Sequence, residues 1–224
     1  MPLIEMRHIC KYYQTGDTVV KALDDVCLTV EEGEMVAVLG RSGSGKSTMM
    51  NIVGCLDTPT SGEYWLAGQR VSDMSERALA DARSRTVGFV FQGFHLLPQL
   101  TALENVELPL TYRGIPERRR RQMAQDSLEQ VGLADRMSHL PRELSGGQQQ
   151  RVAVARAMAG APSLLLADEP TGNLDSVAGR EVMALLHRLH EQGRTVLIIT
   201  HDPAIGDSCP RRVYMEDGKL KNKQ

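Results

Sequence analysis

The chain has 224 residues, of which 42% are hydrophobic and 24% charged, and its formal net charge is −2. That length supports one domain with a substantial core and room for a subdomain, and the near-neutral charge provides no electrostatic footprint for nucleic acid. Cys10, Cys27, Cys55 and Cys209 are scattered without a C-x-x-C pair, which reads as free thiols in a reducing compartment rather than a disulfide framework or a zinc site.

The opening MPLIEMRHICKYY is too polar for a secretory leader, and no apolar run approaches the ~18 residues a membrane helix needs. The first third reads as β-rich. LIEMRHI forms a strand, DVCLTVEEGEMVAVLG holds two strands about a turn at EEGE, and GEYWLAGQRV repeats the pattern about Ala67 and Gly68. From Leu96 to about Ala159 the pattern becomes helical, including ALENVELPL and IPERRRRQMAQDSLEQV. In the second of these, Arg118, Arg119, Arg120 and Arg121 make a solvated face opposite Met123, Leu128 and Val131, with contact to a partner or lipid headgroups as the alternative. Strand SLLLAD, helix AGREVMALLHRLHEQG, strand TVLIIT and a hairpin RVYMEDGKL turning at Asp217 and Gly218 follow. Such alternation predicts an α/β core with a mainly parallel sheet, into which the helical block is inserted as its own lobe.

The strand MVAVLG runs into GRSGSGKST, that is Gly40, Arg41, Ser42, Gly43, Ser44, Gly45, Lys46, Ser47 and Thr48, and then into the helical TMMNIVGCL. This is G-x-x-x-x-G-K-[ST] in its required strand–loop–helix setting. The glycines let successive N–H groups converge on an anion, and the helix start adds partial positive charge. Lys46 is then expected to pair with β- and γ-phosphate oxygens, and Ser47 to ligate Mg²⁺. A second strand end bearing acids completes such a site. SLLLAD is greasy enough to be buried on both faces yet ends in Asp168 and Glu169, a costly arrangement without a compensating cation. Asp168 is the candidate metal-holding acid, and Glu169 the candidate general base toward water.

The residues ELSGGQQQRVAVARA precede LLLADEP by a short interval. Within them Ser145 is a natural N-cap, while Gly146 and Gly147, followed by Gln148, allow close backbone approach, making a second anion cradle at a helix start. With LSGGQ as its signature, the sequence resembles the ATP-binding cassette (ABC) family over essentially its whole length and in the family's motif order. The resemblance implies a P-loop NTPase core with a mainly parallel sheet, an N-terminal antiparallel β subdomain and an inserted α-helical subdomain. It implies a single domain over 1–224, with 1–92 and 160–224 as the core and about 93–159 as the helical subdomain with the signature. It implies ATP and Mg²⁺ as ligands, and two cassettes packed head to tail so that Ser145, Gly146, Gly147 and Gln148 of one close over ATP held by the other. Gln92 matches the glutamine that ligates Mg²⁺ and senses the γ-phosphate, His201 the switch histidine, and Asp175 in GNLD the residue touching the opposite cassette. Tyr13, before the polar turn QTGD, matches the aromatic that stacks on adenine, with its neighbour Tyr12 as the alternative.

The segments NIVGCLDTPTSGEYWLAGQRV, GFVFQGFHLLPQLTALENVELPL and LADEPTGNLD are similar to the branch of macrolide and peptide exporters and lipoprotein-release ATPases. That likeness implies an ATPase at the cytoplasmic face of the membrane, held there by a separate permease of four-helix subunits with a large extracytoplasmic domain. The work is then export, extraction or mechanotransmission. Phe94, His95, Leu96 and Leu97 are candidate permease contacts, or alternatively seals between the lobes. Self-pairing is the expected oligomer. The alternatives are an ATPase subunit of a solute importer and a soluble ATPase acting on ribosomes or DNA, the latter disfavoured by the charge.

Overall fold

A computed structural model of the chain, describing residues 1–221, contains an antiparallel sheet, a mainly parallel sheet and a set of packed helices. The antiparallel sheet has the order β2-β1-β4-β5, built from β1 (Pro2–Thr15), β2 (Thr18–Glu31), β4 (Ser61–Leu66) and β5 (Gln69–Arg70). The other sheet has the order β10-β9-β3-β8-β7-β6, from β3 (Met35–Gly40), β6 (Val87–Phe91), β7 (Leu164–Asp168), β8 (Thr195–Thr200), β9 (Arg211–Glu216) and β10 (Lys219–Lys221). Every neighbouring pair in it is parallel except the closing β9–β10 hairpin. Residues 222–224, counted with the core on sequence, lie outside the described residues.

The helices are α1 (Lys46–Val53), α2 (Glu76–Thr86), α3 (Ala102–Tyr112), α4 (Glu117–Gln130), α5 (Gly146–Met158), α6 (Ser176–Glu191) and α7 (Pro203–Ser208). Sequence pattern did not anticipate α2 or α7. In α2 only Leu79 is buried, so almost no apolar stripe announces it, although Ser75 caps its start. With six residues, α7 is too short to show a period and is set by the Asp202 cap and Pro203. The β1–β2 hairpin is also longer than expected. Register shifts along β1 break the alternation that would have marked its full extent.

Two buried clusters sandwich the parallel sheet. Met35, Ala37 and Leu39 of β3, Leu165 and Ala167 of β7, and Val196 and Ile198 of β8 face a core shared with α3, α4, α5 and α6. Their alternates Val36, Val38, Leu164, Leu166, Leu197 and Ile199 face a core shared with α1 and the antiparallel sheet. Burial on both faces is why these strands read as continuous apolar runs. On α4, Arg118, Arg119 and Arg121 are exposed as expected, whereas Arg120 is half-buried with its Nε 3.4 Å from Glu107 Oε2.

Candidate functional site

Because β3, β8, β7 and β6 are parallel neighbours, their C-terminal ends form one edge. The register sets Leu39 beside Thr200, Asp168 beside Ile199, and Phe91 beside Asp168. Open α/β sheets bind ligands at such edges. A cleft of about 1100 Å³ lies there, lined by Asp168, Glu169, Gln92 and His201 and by the whole loop from Gly40 to Thr48 except Ser44. Strand parity places Asp168 in the cleft. It continues the Leu164 and Leu166 face, the same face that packs on α1 behind the loop.

The loop between β3 and α1 closes tightly on its own backbone. Gly45, at φ 105°, would place a Cβ 2.4 Å from the Ala22 carbonyl oxygen, so no larger residue fits. Buried Lys46 donates from Nζ to the carbonyl oxygens of Gly40 (2.7 Å) and Arg41 (2.9 Å), holding its ammonium inside the loop with no carboxylate at ion-pair distance among the described residues. The Ser44 hydroxyl is buried and makes no hydrogen bond among the described residues. A cationic cradle with an unsatisfied hydroxyl suits an anion.

Burial and the charge of Glu169 raise the Asp168 pKa, and Lys46 opposes them. A divalent cation relieves that cost, and the nearby Ser47 hydroxyl, Asp168 carboxylate and Gln92 amide oxygen are the hard oxygen donors Mg²⁺ prefers. Gln92 spends its amide N–H on Asn173 Oδ1 (3.1 Å), while Asn173 Nδ2 returns a bond to the Gln92 carbonyl (3.1 Å). Its amide oxygen is thereby left as the cation-seeking end.

Glu169 stands in the left-handed region at φ 43°, just past the strand. Its Oε1 accepts from the His201 N–H (2.9 Å) and from His201 Nδ1 (2.6 Å), and its Oε2 accepts from Thr200 Oγ1 (2.9 Å). A carboxylate oxygen has two acceptor sites, so Oε1 is filled and Oε2 retains one for a water. The His201 side chain is 69% exposed beside a Glu169 that is only 15% exposed, so its Nε2 edge is open to the cleft. Thr200 and Asn173 were not singled out on sequence, since hydroxyl and amide residues at strand and loop ends carry no pattern of their own.

The structure does not bring Ser145, Gly146, Gly147 and Gln148 into this cleft, whose lining includes none of them. Ser145 and Gln148 instead form a reciprocal capping box at the start of α5, Ser145 N to Gln148 Oε1 at 2.9 Å and Gln148 N to Ser145 Oγ at 3.3 Å. The two glycines differ. A Cβ on Gly147 would meet Ala178 Cβ of α6 at 2.8 Å, whereas one on Gly146 finds its nearest neighbour at 3.5 Å. Only Gly146 therefore leaves room for a ligand, and Gly147 serves helix packing. Asp175 caps α6 by accepting from the N–H groups of Val177 and Ala178, both at 2.9 Å.

Tyr13 is likewise outside the cleft lining, but its cross-strand partner Val20 lines it. The Tyr13 hydroxyl donates to Asp57 Oδ2 (3.0 Å), while that of Tyr12 donates to Asp24 Oδ1 (2.6 Å). Val19 and Val20 are about half exposed, at 52% and 48%, an apolar pair at a polar hairpin that could have flagged this wall of the cleft. Beyond Gln92, His95 is exposed against Phe91 and lines a second groove with Phe89 and Tyr112. Leu96 packs into the core, Phe94 is half-buried near α5, and Leu97 is 44% exposed, so the four split between sealing and display.

Residues 23–172 match the profile of the ABC transporter family. Over 219 residues, covering 98% of this chain and 94% of the relative, the sequence is 50% identical to an ABC transporter ATP-binding protein of Thermotoga maritima. It is 51% identical to the macrolide export ATP-binding/permease protein MacB 1/2 of Paracoccus denitrificans, across 98% of this chain but 33% of that longer protein. Among solved structures, the dimeric ABC transporter cassette MJ0796 superposes with a TM-score of 0.90 at 45% identity, covering 99% of this chain and 97% of that one. A post-hydrolysis dimer of MJ0796 bound to ADP and Pi matches with the same TM-score at 43% identity.

Proposed function

The chain belongs to the ABC transporter family as an ATP- and Mg²⁺-using ATPase, and from that premise we propose that it dimerises around ATP and drives a separate membrane permease in export, extraction or mechanotransmission. One observation carries the reading. The phosphate loop, Asp168, Glu169, Gln92 and His201 share a single cleft, while Ser145 to Gln148 lie outside its lining. A chain holding half of an ATP site in each of two places completes both sites by pairing head to tail with a second copy.

In the closed pair, Lys46 turns from the Gly40 and Arg41 carbonyls toward the terminal phosphates, and the loop N–H groups hold their oxygens. Tyr13 with Val20 bounds the adenine side. Ser47, Asp168 and Gln92 would hold Mg²⁺, which when bound would neutralise phosphate charge. Glu169 orients and deprotonates the attacking water through Oε2, with Thr200 and His201 fixing its carboxylate. His201 keeps Nδ1 on Glu169 and presents Nε2 toward the γ-phosphate. The exposed Ser145 hydroxyl and the N–H groups beside Gly146 close on that phosphate from the partner cassette, and its loss on hydrolysis loosens the pair.

The groove of about 470 Å³ lined by Phe89, Phe91, His95 and Tyr112 is the docking surface for a cytoplasmic helix of the permease, and Tyr112 stands 83% exposed at its margin. Among the described residues no helix is long and apolar enough to cross a membrane, which agrees with attachment to the cytoplasmic face through that partner. The similarity to MacB-type exporters supports the direction of transport.

A pull-down of tagged Glu169→Gln protein from native membranes with ATP and Mg²⁺ tests the reading. The variant should lose roughly 10²–10⁴-fold in turnover, the usual share of a general base, while retaining an ATP-bound dimer. It should also co-purify a four-helix permease with a large extracytoplasmic domain. A solute-importer permease, or ribosomes without a membrane partner, would replace the exporter assignment, and near-normal hydrolysis would remove Glu169 as the base.

A further inference from the structure

His8 and Asp25 are the only non-glycine residues within β1 and β2 that adopt left-handed backbone, at φ 51° and 60°. Both flank an irregularity of the β1–β2 pairing, where the register shifts between Met6 and Ile9 and again before Lys11. Such outliers persist where surrounding structure over-determines them, and they cluster at functional positions. Here they aim two side chains at one point. His8 Nδ1 lies 2.7 Å from Asp25 Oδ1 and 3.9 Å from Cys27 Sγ, and the three ligand atoms are all within 4.8 Å of one another. The His8 backbone N–H also points at Cys27 Sγ, at 3.2 Å, which holds the sulfur beside the imidazole. All three residues are exposed, and none belongs to the nucleotide cleft.

We propose that His8, Asp25 and Cys27 form a surface binding site for a borderline-soft divalent cation of the Zn²⁺ class. An imidazole nitrogen, a carboxylate oxygen and a thiolate are three of the ligand types Zn²⁺ takes, and their mixture disfavours Mg²⁺ and Ca²⁺, which select oxygen. Bond lengths of about 2.0–2.3 Å in a tetrahedron separate ligand atoms by roughly 3.3–3.6 Å. The observed 2.7 and 3.9 Å bracket that range and the third separation is no more than 4.8 Å, so side-chain adjustments on the order of 1 Å, at exposed positions, bring the three atoms to it. On binding, the Cys27 thiol proton leaves to solvent. A neutral His8 changes tautomer, carrying its proton on Nε2 and giving Nδ1 to the metal. Water occupies the fourth position. The bound ion ties β1 to β2 across the bulge, in the same hairpin that carries Tyr13 and Val20 to the nucleotide cleft.

Titration of the 224-residue chain with Co²⁺, a spectroscopic substitute for Zn²⁺, tests the site. A thiolate-to-cobalt charge-transfer band should saturate at one equivalent, vanish on adding Zn²⁺ and persist in excess Mg²⁺. It should be lost in Cys27→Ser, weaken at least tenfold in apparent affinity in His8→Gln and Asp25→Asn, and survive in Cys10→Ser. In the unmodified chain, Zn²⁺ should protect Cys27 from alkylation, read by peptide mass spectrometry, so the result does not depend on any variant folding. Nucleotide affinity of metal-free His8→Gln should equal that of the parent. Absence of the band at tenfold excess of Co²⁺, a band that outlives Cys27→Ser, or unprotected Cys27 would overturn the proposal.

Discussion

Asp168 and Glu169 are adjacent in sequence yet stand in different surroundings. Glu169 makes three hydrogen bonds through its carboxylate, whereas Asp168 is destabilised as an anion by burial and by its neighbour's charge. Its folded pKa lies above that of the unfolded chain, so the folded state retains the proton to higher pH. The cost to stability is absent below the unfolded value, grows as pH rises toward the folded one and is fully present above it. Asp168→Asn should therefore stabilise the nucleotide-free chain at pH 7, and the gain should disappear near pH 3–4, around the ordinary carboxylate value. Urea unfolding at the two pH values measures this. The same variant should lose Mg²⁺-dependent ATP binding, the mark of a residue kept at a cost for function.

At the scale of the element, α5 shows how one motif serves two demands. Its capping box satisfies the first-turn N–H groups of the isolated chain, and Gly147 lets α6 approach through Ala178. Gly147→Ala inserts a methyl into a 2.8 Å gap and should destabilise the fold by about 1–3 kcal/mol, while Gly146→Ala should change it by less than about 0.5 kcal/mol. Denaturant midpoints of the pair separate packing from ligand approach. Further along the helix, half-buried Arg156 donates to the Phe94 and His95 carbonyl oxygens at 2.7 and 2.5 Å. That contact fixes the segment after Gln92 in its left-handed backbone, φ 59° and 50°, and so ties the signature helix to the end of β6.

Across the whole molecule, the cleft at the sheet edge and the start of α5, the two half-sites of the proposed function, belong to different surfaces connected by packed elements. The reciprocal Gln92–Asn173 bonds join the loop after β6 to the loop before α6, and Arg156 joins it to α5. In mixed dimers of a Lys46→Ala chain with a Ser145→Arg chain, one composite site keeps both intact halves. Such mixtures should hydrolyse ATP measurably while each variant alone does not. Inactive mixtures beside active parent dimers would rule out an independently working site.

The phosphate loop, the acidic strand end and the serine-capped glycines were legible in sequence because backbone requirements and local spacing write them there: only glycine fits at Gly45, and only a chain buried on both faces reads as unbroken Leu164 to Ala167. The mainly parallel sheet followed from the same strand–helix alternation. What required the folded chain were relations between residues far apart. Thr200 and Asn173 acquire meaning only beside Glu169 and Gln92, from which they are 31 and 81 positions distant. Gly147 could not be separated from Gly146 until α6 was seen against it, and α2 gave no stripe because it buries a single leucine. The cysteines, read singly, were free thiols with no metal-ligand spacing. Cys27 joins His8 and Asp25 only because strand pairing and a bulge turn three separate side chains to one point, a matter of register that no local spacing encodes.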